Sequence, residues 1–243
     1  MGADHLNIVV LVRVRNEAKR IGLFCEAYIS ADHIIVSDGG SDDDTVSIAS
    51  QFSNVVLRPF EEKVQLQNGM WRNNDAQHVN HLIEAAKEFD PSWIVLDDCD
   101  CRPTLELKNN YRRILEETDK DFVHAVRFYF WGNDYYFPKM SAPGKGGELE
   151  PSLWAWRGTM NFKMIDIPPA YDFMLDGVKA PNIRVSHANL DLYPPLSLLH
   201  YSWDEERVEQ KLKDYRESGF IPGYDDPRKF AGTMVSKLDW MIE

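Results

Sequence analysis

The sequence predicts an α/β fold: a mostly parallel central sheet flanked by helices, followed by an irregular, aromatic-rich second half. Three observations predict it. Through residues 1–120, short apolar or β-branched runs alternate with stretches of helical periodicity, the pattern of a sheet covered on both faces by helices. Two of those runs end abruptly in aspartates, at the strand ends where open α/β sheets hold their ligands. Near Asp121 the composition shifts to aromatic residues, glycine and proline, with few helical signals.

Each element follows in order. Leu6–Val14 (LNIVVLVRV) is a β-branched run and reads as the first strand. Asn16-Glu17 starts a helical pattern to about Tyr28, with Asn16 as its cap and Ile21, Leu23, Phe24 and Ala27 available for burial. Asp32–Ser37 (DHIIVS) is the second strand. It runs into Asp38-Gly39-Gly40-Ser41-Asp42-Asp43-Asp44-Thr45. The glycines permit a tight turn with positive φ. Ser41 or Asp42 is a natural N-cap for a helix ending near Phe52. Asn54–Leu57 is a short third strand. Gly69–Phe89 reads as a long helix opened by Arg72, with Val79, Leu82, Ile83 and Ala86 on one face. Trp93–Leu96 is the fourth strand and Thr104–Glu117 another helix.

Phe122–Trp131 (FVHAVRFYFW) is aromatic and β-rich, and Pro143–Gly147 (PGKGG) is a loop. Leu196–His200 (LSLLH) is a final strand, with terminal helices expected at Trp203–Ser218 and Pro227–Ile242. The chain is thus expected to form one domain: a nucleotide-type half at 1–120, an acceptor and metal half at 121–202, and helices at 203–243. The second half has too little regular structure to fold alone.

Bulk properties bound the function. The chain has 243 residues, 44% hydrophobic and 27% charged, with a net charge of -12. So acidic a chain is a poor prospect for nucleic acid or anionic membrane, which demand clustered Lys and Arg. It suits a polyanionic ligand whose charge a metal neutralises. The cysteines are Cys25, Cys99 and Cys101, an odd, sparse set that points to a reducing compartment. No apolar run approaches the ~18 residues of a membrane span, and the opening MGADHLN lacks the signal-peptide pattern. A cytoplasmic location is expected.

The chemistry centres on Trp93–Arg102 (WIVLDDCDCR). Asp97, Asp98 and Asp100 crowd the end of a buried strand, and leaving such charges uncompensated costs on the order of several kcal/mol. A divalent cation relieves them through oxygen ligands, and the competing reading is a solvated acidic turn. Cys99 and Cys101 alternate with Asp98 and Asp100. If strand geometry continues, both thiols face away from the carboxylates, which favours core packing over zinc binding for them. Asp38, at the end of the second strand, either contacts a base or ribose or caps its own turn. Arg13, Arg15 and Arg72 either meet phosphate or base or are solvated surface arginines. His200 is either a ligand for a borderline cation such as manganese or a structural histidine, with His187 a weaker candidate. The aromatics of Phe128–Tyr136 and Trp154–Trp156 suit either sugar faces or core packing.

Taken in order, these features resemble the family 2 nucleotide-sugar glycosyltransferases of GT-A fold. Members have a strand followed by Asn-Glu, an Asp-x-Gly-Ser-x-Asp-x-Thr turn and an Asp-x-Asp after the next hydrophobic strand. Here these are Asn16-Glu17, Asp38–Thr45 and Asp98-Cys99-Asp100. The match covers Ile8–Arg102, thins from Asp121 to Asp191, and returns at Leu198–Tyr215 (LLHYSWDEERVEQKLKDY), similar to the His-Tyr-containing end of some members. The resemblance implies a UDP- or GDP-linked sugar donor and a glycan, lipid or protein acceptor. It implies that Asp38 contacts the nucleobase and that Arg13 and Arg72 line the nucleotide site. Asp98 would bind ribose or metal, and Asp100 the Mn²⁺ or Mg²⁺ that bridges the diphosphate. His200 would complete the metal site. Asp97 has no family counterpart, so the Asp97/Asp98 register is open by one residue.

The chemistry fits independently. The departing nucleoside diphosphate develops charge that a carboxylate-held cation stabilises as a Lewis acid. An inverting enzyme also needs a positioned carboxylate to take the acceptor proton. Family members often show a Glu-Asp pair there, which is missing between Asp121 and Leu199. Asp172, Asp176 and Asp191 stand as alternatives for the base. Two rivals remain. A sugar-1-phosphate nucleotidyltransferase would need a glycine-rich phosphate loop, but Val12–Arg20 has no glycine. A non-catalytic nucleotide-sugar or glycan-binding protein would need no base.

Overall fold

Strand β1 (Ile8–Val14) is buried along nearly its whole length. Its side chains alternate between two apolar clusters. Ile8, Val10, Val12 and Val14 pack with helices α1 (Ile21–Ala27), α2 (Thr45–Ala49) and α4 (Leu105–Glu117). Val9 and Leu11 pack with α3 (Asp75–Lys87), through Ala76, Val79, Leu82, Ile83 and Ala86. A strand covered on both faces has no solvent side, which is why Ile8–Val12 is an unbroken apolar run.

The computed structural model describes residues 6–61, 63–65, 71–73, 75–132, 135–136, 151–167, 170–175, 178–179, 197–203, 208–209 and 235–236. Strands β2 (His33–Asp38) and β6 (Trp93–Leu96) flank β1 in parallel, and β3 (Val55–Pro59) adds in parallel to β2. All four therefore bring their carboxyl ends to one edge.

Beyond β6 the direction reverses. Strand β10 (Pro151–Arg157) pairs antiparallel with β6 and with β8 (Phe122–Trp131). Strand β14 (Ser197–Trp203) lies parallel to β8 and antiparallel to β7 (Cys101–Pro103). The short strands β9 (Tyr135–Tyr136) and β15 (Val235–Ser236) complete a ten-stranded sheet. The α/β class is as predicted, but the sheet is mixed, its continuous parallel part confined to β3-β2-β1-β6.

Two smaller sheets complete the described fold. One is a hairpin of β4 (Lys63–Gln65) and β5 (Trp71–Asn73). The other joins β11 (Phe162–Ile167), β12 (Ala170–Leu175) and β13 (Val178–Lys179). Asn80 of α3 grips β11, accepting from the Met164 N–H and donating to its carbonyl, both at 2.7 Å.

Several boundaries differ from expectation. Trp71–Asn73 is a strand, so Arg72 lies in a hairpin opposite Val64 and α3 begins only at Asp75. The helix expected from Asn16 begins at Ile21. The last strand runs through Trp203, because it keeps pairing with β8, so no helix starts at that residue. Val235–Ser236, inside an expected helix, pairs instead with Tyr135–Tyr136. Helix α4 matches, capped by Thr104, whose hydroxyl accepts the Leu107 N–H at 3.4 Å. Pro143–Gly147 lies outside the described residues. Among the described residues no helix is long and apolar enough to cross a membrane.

Candidate active site

The turn after β6 builds the site. The Asp97 N–H still bonds the Leu11 carbonyl, at 3.2 Å, so the ladder to β1 runs one residue past the strand. Then the chain reverses, with the Cys101 N–H donating to the Asp98 carbonyl at 2.8 Å. Strand β7 leaves the turn against β14, setting His200 opposite Cys101, and the Tyr201 N–H donates to the Asp100 carbonyl at 2.8 Å. The ligand atoms of Asp98, Asp100, Cys101 and His200 thereby lie within 4.8 Å of one another. His200 Nε2 sits 2.9 Å from Asp100 Oδ1, and the Tyr129 ring meets the imidazole edge-on, with centroids 4.7 Å apart.

This turn corrects the expectation for the cysteines. Strand alternation stops at Leu96, so it cannot direct both thiols away from the acids. Cys99 does enter the apolar cluster beneath β1. Cys101 is also buried, but its thiol joins the polar group. Burial, then the nearby aspartates, pushes that thiol well above its ordinary range.

Arg127 of β8 balances the acids. Its Nη1 donates to Asp98 Oδ2 at 2.8 Å and its Nη2 to Asp97 Oδ1 at 3.3 Å. Arg13 of β1 stands 3.9 Å from the other Asp98 oxygen. Asp97 is fully buried. It accepts the Tyr28 hydroxyl at 2.7 Å, and Tyr28 in turn accepts the Trp154 indole N–H at 3.2 Å. Burial pushes the Asp97 carboxyl up to about 6, against the pull of Arg127. Burial acts on Asp98 in the same direction, but the charges of Arg127 and Arg13 outweigh it and hold Asp98 below the usual carboxylate range. Adjacent aspartates thus part ways. Asp97 ties the strand end to the core, and Asp98 faces the site. Sequence reasoning did not single out Arg127. The available signal was a lone cation in an otherwise aromatic and β-rich run.

Asp38 serves its own turn. Its carboxylate accepts the backbone N–H groups of Gly40, at 3.2 Å, and Ser41, at 3.1 Å, and the Ser41 hydroxyl. Gly40 has a φ of 86° and Asn16 a φ of 56°, and asparagine tolerates that region better than most residues. Asn16 therefore does not cap α1. It accepts the Asp42 N–H at 3.0 Å and donates its own N–H to the Ser41 hydroxyl at 2.9 Å. Thr45 accepts the Glu17 N–H at 2.7 Å. The turns after β1 and β2 are stitched together, and the residue preceding α2 is Asp44 rather than Ser41 or Asp42.

Of the predicted site residues, the structure gathers Asp98, Asp100 and His200, with Arg13 beside them. Asp38 stands across β1 at the same sheet edge, opposite Val14, outside the four-residue group. Arg15 is exposed. Asp172 lies on β12 opposite Ile165, in the three-stranded sheet. Asp176, His187 and Asp191 lie outside the described residues. Trp154, Trp156, Phe128 and Phe130 are buried, so they pack the core and offer no face to a sugar.

The family model for glycosyl transferase family 2 matches residues 9–177. The chain belongs to glycosyl transferase family 2. This family 2 chain is similar to several solved structures. One is S. aureus TarS 1–349 (17% identity, 63% of this chain and 47% of that one, TM-score 0.42). A second is the same TarS segment in complex with UDP (15%, 63% and 47%, 0.42). A third is glucosyl-3-phosphoglycerate synthase from Mycobacterium tuberculosis with Mn²⁺, UDP and glucosyl-3-phosphoglycerate (18%, 63% and 57%, 0.40). The family 2 chain spans about half the length of the structures it matches. A comparison with curated proteins finds no match.

Proposed function

We propose that this domain transfers a sugar from a UDP- or GDP-linked donor to an acceptor hydroxyl on a glycan, lipid or protein, using Mn²⁺ or Mg²⁺. The observation that carries the reading is the meeting of Asp98, Asp100 and His200 at the carboxyl edge of the parallel strands. Their two carboxylates and imidazole fit a divalent cation of this class. When bound, the cation supplies Lewis-acid stabilisation of the diphosphate leaving group.

The protein's own residues do the rest. Asp100 Oδ1 and His200 Nε2 stand 2.9 Å apart, a separation that two ligands of one small cation take up. Arg127 holds Asp98 through Oδ2 from the protein side, orienting it beside Asp100 and His200 toward the cation. Arg13 reaches the donor phosphates, with Arg72 as its partner in that role. Asp38 presents its carboxylate to the base from the neighbouring strand tip. The acceptor base is one of Asp172, Asp176 and Asp191. The three unbridged cysteines favour a reducing, cytoplasmic setting.

Calorimetric titration of UDP and GDP, with and without Mn²⁺, tests the reading. Binding by one nucleotide only in the presence of metal is expected, lost in Asp100→Ala with the fold intact by circular dichroism. Metal-independent or absent binding would overturn the reading. Donor turnover in a mixed-acceptor screen separates a transferase from a non-catalytic nucleotide-sugar binder.

A further inference from the structure

We infer that Cys101 is a fourth protein ligand of the cation and tilts the site away from Mg²⁺ toward softer, borderline ions. The inference rests on the metal reading of the site proposed above.

Three observations carry it. First, the Cys101 sulfur is one of four donor atoms lying within 4.8 Å of one another. Donors sharing one ion at about 2.0–2.3 Å stand at most about 4.6 Å apart, so small side-chain adjustments bring all four onto one cation. Second, Cys101 is fully buried, yet it belongs to none of the three apolar clusters among the described residues, whereas Cys25 and Cys99 join the first of them. A cysteine that merely filled core volume would be expected among hydrocarbon side chains. This one faces two carboxylates and an imidazole. Third, its position is set by the backbone on both sides. The turn bond to Asp98 and the register with His200 hold the sulfur where the other ligands converge. The thiol forms no disulfide.

The chemistry follows from ligand type. Thiolate sulfur favours borderline and soft ions, whereas Mg²⁺ takes oxygen. On loading, the S–H bond breaks, the sulfur coordinates the cation, and the proton passes to solvent.

The full-length protein, stripped of metal, is titrated with Co²⁺, Cd²⁺ and Mg²⁺. A thiolate-to-cobalt charge-transfer band is expected in the near ultraviolet, lost in Cys101→Ser and kept in Cys99→Ala. Cd²⁺ affinity is expected to fall on the order of ten-fold or more in Cys101→Ser, and Mg²⁺ affinity by about two-fold at most. Cadmium NMR of the wild-type protein asks the same question without a variant. A resonance in the thiolate-ligated range supports the inference, and one in the oxygen and nitrogen range overturns it. A protein that binds UDP or GDP with Mn²⁺ but shows no cobalt band overturns the thiol ligand alone. One that binds no cation and no metal-dependent nucleotide overturns the site reading with it.

Discussion

The parallel strands β3-β2-β1-β6 and the strands β10, β8 and β14 beside them handle charge in opposite ways. In the first region the described strand interiors are apolar, and charge appears near the carboxyl tips, as Arg13, Asp38, Asp97 and Asp98. In the second region cationic and imidazole groups sit within the strands, with Arg127 on β8 and His200 on β14. The acidic tips of one region are therefore held by groups that the other sends across the seam. Arg127→Met breaks this arrangement most severely. It leaves Asp97 buried without its cation, a loss of about 3–5 kcal/mol for a broken buried pair. Urea denaturation measures it. Wild-type stability in that variant would mean that the two regions do not depend on each other electrostatically.

A second way to break the seam is steric. Gly158 follows β10 and donates its N–H to the Ser92 carbonyl at 3.0 Å, at the entry to β6. A Cβ there would fall 1.8 Å from the Pro91 carbonyl oxygen. Backbone cannot move aside cheaply, so Gly158→Ala should cost about 2–3 kcal/mol. Thermal unfolding checks this, and a cost below that of an ordinary surface substitution would show the seam to be loosely packed.

The two regions also differed in how far the sequence revealed them. Ile8–Val14, His33–Asp38 and Trp93–Leu96 were readable because a buried parallel strand is a local run of apolar residues, and the turn after Asp38 announced itself by its glycines. The pairing of β7 with β14 was not readable, since it joins residues nearly a hundred positions apart and depends on a reversal at Asp98–Cys101 that strand alternation does not anticipate. Arg127 went unnoticed for the same reason: its acidic partners come from another strand. His200 stands out in the sequence because a histidine ends an apolar run, although the strand continues to Trp203. The shared boundary of the two regions decided which of Asp97 and Asp98 faces the site, and nothing local distinguishes those neighbours.

That pair offers a pH test with a defined sign. An unfolded-state aspartate titrates near 3.8, and folded Asp97 near about 6. Between these values the folded state holds a proton that the unfolded state has released. The stability contributed by Asp97 is therefore fully present below about 3.8 and lost as pH rises through about 6. Asp98, whose carboxyl is lowered, runs the other way and loses its contribution as pH falls. Asp97→Asn should remove the first effect alone. The change in unfolding free energy between about pH 4 and pH 7 should shift in favour of the higher pH by about 2 kcal/mol. Denaturant titrations at both pH values measure it, and an unchanged slope would mean that Asp97 stays ionised throughout.

The mildest test addresses the parallel region by itself. The Ser41 hydroxyl donates to Asp38 and accepts from the Asn16 N–H, so Ser41→Ala removes two hydrogen bonds from the stitched turns. The Asp38 carboxylate keeps its backbone donors at Gly40 and Ser41. The expected loss is about 1 kcal/mol, since these groups reach water when unpaired. If Asp38 meets the nucleobase, nucleotide affinity should change by a few-fold, about 0.5–1 kcal/mol, while cation affinity without nucleotide stays as in wild type. Calorimetry on both ligands distinguishes the outcomes. A parallel loss of cation and nucleotide affinity would instead mean that the turn after β2 supports the Asp98 and Asp100 group across β1.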